Sequence, residues 1–249
     1  MSNEEEVVEK KSEELVEGGL EATPKKPKKI NKFYRGLKKF FAWFFRWLYR
    51  IEVINPENEP LDKPYVVCCN HISLMDVVII AASLKSQVRF MAKKEVFKVP
   101  LLNWFVKAMG AFPVDRAGGD VGAIKKSIEI VKNDEGCVGI FPQGTRCPGK
   151  NPRETEIKDG AGMVALRSEV GILPVAIKTK KGKLGIFSKT QFIIGKFIPF
   201  EELTSEGSHK EQYTNATNMA FDSVCNMLEG NVKALPKEES KEQTEGEND

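Results

Sequence analysis

From Val53 to Gly230 the chain alternates short, almost wholly apolar runs with longer amphipathic stretches. Apolar runs of this kind read as strands covered on both faces, and the stretches between them carry a helical period. The pattern predicts strands over residues 64–69, 88–92, 110–114, 137–141, 172–178, 184–187 and 191–198. It predicts helices over 73–84, 100–109, 120–133, 160–169 and 210–228, with Pro100 at a first helical position, Asp120 as a cap and Gly230 as the last stop. Such alternation implies an α/β layer architecture: a mixed, mostly parallel central sheet flanked by helices. There is no internal repeat.

Charge is distributed unevenly along this chain of 249 residues. Residues 1–21 hold eight Glu against two Lys, and 237–249 hold six acids against two Lys. The part between carries 34 Lys and Arg against 21 Asp and Glu, so its natural partners are anionic. Five cysteines at 68, 69, 137, 147 and 225 show no metal-ligand spacing and read as reduced cytosolic thiols. The acidic first twenty residues lack the apolar core of a signal peptide. The longest clean apolar run, from Val77 to Leu84, falls far short of the roughly 20 residues that cross a bilayer.

One stretch stands apart. Residues 33–50 contain nine of the 22 aromatics, and no acid occurs between Glu21 and Glu52. On a helix, Lys32, Arg35, Lys38, Lys39, Arg46 and Arg50 gather on one side, opposite Phe33, Leu37, Phe40, Phe41, Phe44, Trp47 and Leu48. An aromatic face opposed by a cationic one suits a helix lying in a membrane interface with anionic lipid. The same pattern also fits packing on the core, or capture by a calmodulin-type partner. The expected organisation is an acidic leader and polybasic hinge over 1–29, an amphipathic membrane-associating helix over 30–52, an α/β domain over 53–232 and an acidic tail over 233–249.

Three segments after predicted strands carry chemistry. In Asn70-His71-Ile72-Ser73-Leu74-Met75-Asp76, the turn can fold Asp76 back onto the imidazole. The carboxylate would then fix the tautomer and leave the other ring nitrogen to take a proton from an alcohol or thiol. Asp76 fits equally as the far end of a capping box begun by Ser73. Gly110-Ala111-Phe112-Pro113-Val114-Asp115-Arg116 brings a guanidinium to a strand end, where it suits a phosphate. Phe141-Pro142-Gln143-Gly144-Thr145-Arg146 ends a buried strand in a glycine turn with a hydroxyl and a second Arg. Ligands of open α/β sheets sit beyond the carboxyl ends of strands.

Together with Leu173-Pro174-Val175, these segments resemble the four ordered blocks of the glycerolipid acyltransferases, over about residues 30–230. The match is nearest to the bacterial 1-acyl-sn-glycerol-3-phosphate acyltransferases. The resemblance implies that His71 is general base toward the sn-2 hydroxyl of lysophosphatidic acid, supported by Asp76. It implies that Arg116 and Arg146 hold the phosphate, with Gln143, Gly144 and Thr145 completing the acceptor site. The acyl thioester, of coenzyme A or acyl-carrier protein, is a co-substrate, and no metal or bound cofactor is implied. The implied location is peripheral, at the cytoplasmic face of the cell membrane. Gln143 departs from the carboxylate usual in the third block, and Cys147 replaces a usual Ser. The alternatives are an acyltransferase for another lysolipid, such as a lyso-ornithine lipid, and a non-catalytic module that binds anionic lipid. Nucleic-acid binding finds no recognition helix or stacking platform.

Overall fold

The computed structural model describes residues 43–98, 103, 106, 110–114, 121–133 and 136–230. Its strands form one sheet in the order β1-β7-β6-β2-β5-β3-β4. They are β1 (Ile51–Ile54), β2 (Val66–Cys69), β3 (Val88–Lys93), β4 (Phe112–Val114), β5 (Cys137–Ile140), β6 (Ile172–Thr179) and β7 (Thr190–Ile194). Neighbours pair in parallel except β6 with β7. The expected mixed, mostly parallel sheet is present.

Helices α1 (Asp76–Ser83), α2 (Val121–Lys132), α3 (Gly160–Ser168), α4 (Phe200–Leu203) and α5 (His209–Glu229) flank it. Helices α2, α3 and α5 cover one face through Ile128, Val131, Val164, Ala165, Ala220 and Val224, which pack on Val66, Cys68, Val138 and Ile140. On the other face, Ile79 and Ile80 of α1 pack with Tyr49, Val67, Cys69 and Phe90. Adjacent residues of β2 thus feed opposite cores, which is why the strand reads as an unbroken apolar run. Helix α5 starts with a reciprocal Ser208 and Glu211 capping box and ends at Gly230 in the left-handed region, φ 84°.

Three expectations are corrected. Residues 184–187 are not a strand: Ser188 N–H donates to Gly185 O at 3.2 Å and Phe187 turns at φ 59°. Gly182 and Gly185 favour a turn there, and the apolar run misled because Ile186 and Phe187 are exposed rather than buried. The strand expected over 191–198 stops at Ile194, although Ile198 still bridges to Ile172. The helix expected from residue 73 begins at Asp76, because that carboxylate holds the N–H groups of Ile72 and Ser73 in the turn before it. Within the helix expected over 100–109, Asn103 and Val106 are helical and the other residues lie outside the described set.

Residues 43–48 are helical, with Phe45, Leu48 and Tyr49 packed into the second core and Trp43, Arg46 and Trp47 exposed. Strand β1 crosses the domain boundary expected between 52 and 53. Lys32, Arg35, Lys38 and Lys39, the leader and the tail lie outside the described residues. Among those described, no helix is long and apolar enough to cross a membrane.

Direction matters more than order here. Because β1 and β7 oppose the other five strands, their amino ends share an edge with the carboxyl ends of β2, β5 and β6. His71, the 141–147 loop, the 180–189 loop and residues 43–48 therefore meet along one rim.

Candidate active site

The rim is organised by Asn70, the residue after β2. Its buried side chain continues the β2–β6 ladder: Nδ2 donates to Ile177 O at 3.1 Å, and Oδ1 accepts from Ile177 N at 2.8 Å. The backbone is thereby released from the sheet while still tied to β6, and His71 follows immediately.

His71 is held on every side except one. Its Nδ1 meets Asp76 Oδ2 at 2.7 Å. Its backbone N–H donates to Gln143 Oε1 at 2.8 Å, and its carbonyl accepts from Cys147 N–H at 2.7 Å. The ring lies on Phe141, centroids 4.0 Å apart and 15° between planes. Phe141 lies in turn near-parallel to Phe90 at 5.9 Å. Phe90 sits over β5 at Gly139, where any Cβ would collide with the Phe90 ring. With Nδ1 bonded to a carboxylate, Nε2 is the ring nitrogen left to face a substrate. The side chain is 16% exposed, enough for a substrate oxygen to reach it.

Asp76 is fully buried. Its Oδ2 accepts from His71 Nδ1, from Ile72 N–H at 2.6 Å and from Ser73 N–H at 2.8 Å. Its Oδ1 is buried without a donor among the described residues. Carboxylates favour a helix start, and here the charge is shared between backbone donors and the imidazole. Ser73 Oγ accepts from Met75 N–H at 3.2 Å, so Ser73 forms only half of a capping box with Asp76. Orientation of His71 and closure of the turn before α1 use the same oxygen.

In the second loop, Gln143 is buried and both ends of its amide are engaged. Besides accepting from His71, it donates through Nε2 to Thr155 Oγ1 at 2.9 Å, and that hydroxyl donates to Pro152 O at 2.6 Å. Gly144 turns at φ 64°, with its N–H donating to Phe141 O at 2.9 Å. Thr145 and Arg146 project into solvent on the rim.

Comparison with known proteins shows the family of the chain. The Acyltransferase family model matches residues 50–178, from β1 to the end of β6. The chain belongs to the acyltransferase family. The 1-acyl-sn-glycerol-3-phosphate acyltransferase of Bacillus subtilis is 34% identical over 185 residues, covering 72% of this chain and 90% of that one. That of Borreliella burgdorferi is 32% identical over 190 residues, 74% of each chain. The crystal structure of the 1-acyl-sn-glycerophosphate acyltransferase PlsC from Thermotoga maritima superposes with a TM-score of 0.62 at 26% identity, covering 79% of this chain and 78% of that one.

In this acyltransferase, His71, Asp76 and Gln143 form one hydrogen-bonded unit. Gly144, Thr145 and Arg146 occupy the adjoining loop, which Cys147 pins to His71. Arg116 lies outside the described residues. Leu173, Pro174 and Val175 are buried within β6 beside β2, where Val175 pairs with Cys69. Asn70, Thr155, Phe90 and Gly139 do structural work at this candidate site without having been singled out for it in the sequence. A signal existed for Gly139, since a glycine inside an apolar strand marks a close approach. The partners of Asn70 and Thr155 show no such local pattern.

Proposed function

We propose that this acyltransferase moves an acyl group from a thioester to the sn-2 hydroxyl of 1-acyl-sn-glycerol-3-phosphate, giving phosphatidic acid. The observation that carries the reading is the 2.7 Å bond from His71 Nδ1 to a fully buried Asp76. It leaves Nε2 to work on a rim that also presents Arg146.

His71 Nε2 takes the hydroxyl proton as the oxygen attacks the thioester carbonyl, and a C–O bond forms. As the tetrahedral adduct collapses, the C–S bond breaks and the thiolate recovers the proton from the imidazolium. Asp76 stabilises that imidazolium and is not itself protonated. No covalent acyl-enzyme, metal or resident cofactor enters this scheme. The donor is acyl-coenzyme A or acyl-carrier protein.

Arg116 and Arg146 hold the phosphate with Thr145. Gly144 contributes the shape of the turn, since its N–H is committed to Phe141. Gln143 acts from behind His71 rather than on the acceptor, which makes its departure from a carboxylate compatible with a phosphate-bearing substrate. The exposed Trp43 and Trp47 support a peripheral membrane position for the rim, with the aromatic helix as anchor on the cytoplasmic face.

The deciding experiment supplies both thioester donors in mixed micelles and compares lysophosphatidic acid with a lyso-ornithine lipid and lysophosphatidylcholine. Thiol release and lipid product should depend on the phosphomonoester and disappear in His71→Ala, whose thermal unfolding stays cooperative. Near-normal turnover in that variant, or equal rates on all acceptors, would overturn the assignment.

A further inference from the structure

The β6–β7 loop exposes apolar side chains that the fold does not use. Ile186 is 62% exposed and Phe187 is 55% exposed. Phe187 adopts φ 59°, a left-handed backbone that Gly or Asn accepts readily and a bulky aromatic resists. Glycines stand nearby at 182 and 185, yet the strained position is given to Phe. Strain of this kind points to a use for the side chain.

The turn is also held in place. Phe187 N–H donates to Leu48 O at 2.8 Å, and its ring meets Trp47 edge-on at 5.4 Å. Trp43 is one helical turn from Trp47, and both face solvent. Trp43, Trp47, Ile186 and Phe187 therefore form one apolar patch fixed by a hydrogen bond between two distant segments. Lys180, Lys181 and Lys183 in the same loop are exposed and make no ion pair among the described residues, whereas Lys189 is matched by Glu52 at 3.0 Å. An apolar tip with uncompensated cations beside it has the complementarity of an anionic lipid leaflet.

We propose that the turn at Ile186 and Phe187 is a second membrane contact, inserting into the interface of an anionic leaflet beside the aromatic helical residues and holding the His71 rim at the lipid surface. It deepens the reading of the acceptor as a membrane lipid and rests on that reading. The chain would then stand on two contacts, which fixes its tilt as well as its attachment.

The test uses the full chain. All five native cysteines are buried, so Ile186→Cys provides an accessible thiol for an environment-sensitive NBD label. Glu206→Cys, exposed beyond α4 on the opposite edge, is the control. On phosphatidylglycerol-containing vesicles with doxyl-labelled lipid, the label at 186 should shift to the blue and be quenched, and the label at 206 should not. Ile186→Ser should lower vesicle partitioning roughly tenfold, and joint replacement of Lys180, Lys181 and Lys183 by Gln should lower it up to about fivefold per lysine. Both variants should keep the wild-type thermal midpoint and the wild-type rate on a water-soluble short-chain acceptor.

Equal quenching at 186 and 206, unchanged partitioning of Ile186→Ser, or no vesicle binding by the intact chain would each overturn the proposal. So would a label already in apolar surroundings before vesicles are added, as when residues 1–42 or a second copy cover the turn. Loss of acyl transfer with retained quenching at 186 would instead overturn the enzymatic reading and leave the membrane contact standing.

Discussion

Asn70 and Ile177, 107 residues apart, exchange two hydrogen bonds in which an amide side chain stands in for the next residue of a strand. Asn70→Ala leaves a buried N–H and a buried C=O of β6 without partners. The expected loss is about 3 kcal/mol of stability, read as a lower urea midpoint at unchanged m-value. Since His71 follows directly, kcat should fall more than the KM for acceptor rises.

Asp76→Asn keeps the shape of the α1 start and an oxygen for the N–H groups of Ile72 and Ser73. It removes the charge that, in the proposed mechanism, stabilises the imidazolium. The expected result is a drop of about 10³ in kcat with little change in unfolding temperature. A variant that loses stability and activity in proportion would show that holding the turn before α1 is the main role of the residue.

Gln143→Glu should be tolerated within about threefold in kcat, because a carboxylate still accepts from His71 N–H and Thr155 Oγ1 can rotate to donate to it. Gln143→Ala releases the backbone of His71 and should cost about 1–2 kcal/mol together with most of the turnover. Steady-state rates beside thermal melts separate the two effects. Stronger damage from Glu than from Ala would contradict the hydrogen-bond pattern described for this amide.

Gly139→Ala pushes a methyl group into the Phe90 ring. Overpacking of this kind costs about 2 kcal/mol. The displaced ring also loosens the support beneath Phe141 and His71, so activity should fall beyond what unfolding explains. Combining Gly139→Ala with Phe90→Leu should restore part of the stability and little of the rate.

Burial pushes the thiols of Cys137 and Cys225 up to about 11, and raises those of Cys68 and Cys69 as well. The unfolded thiols ionise near the ordinary value of about 8.5. Their contribution to stability is therefore full below about pH 8.5 and is lost as pH rises toward about 11, because across that window only the unfolded chain gains by ionising. Urea midpoints measured from pH 7 to 10 should decline, with a shallower slope in Cys225→Ala. Maleimide should label the native chain slowly and the unfolded chain at all five positions.

The strands and helices were legible within a few residues wherever an apolar run was also a buried one, as in β2, β5 and β6. Residues 184–187 broke that rule because their apolar side chains face outward, and composition alone does not separate a buried face from an exposed one. The spacing of His71 and Asp76 admitted both an oriented imidazole and a helix cap, and the observed geometry contains parts of both. Asn70 entered the sequence reading only as the first residue of a motif, and Thr155 and Phe90 took no role in it. Their partners are set by tertiary neighbours, in one case on a strand more than a hundred residues away. Arg116, expected from the sequence to hold the phosphate, lies outside the described residues.

The reversal of β7 against β6 also has a vertical consequence. Were β1 and β7 to run with the other strands, Trp47 and Phe187 would stand at the far end of strands of four and five residues, roughly 13–17 Å from His71. A lipid acceptor would then have to climb most of a bilayer leaflet to be acylated. As built, the proposed footing and the His71 rim share one edge of the sheet, and under that proposal such an acceptor need lift only its headgroup while its tail stays dissolved in oil.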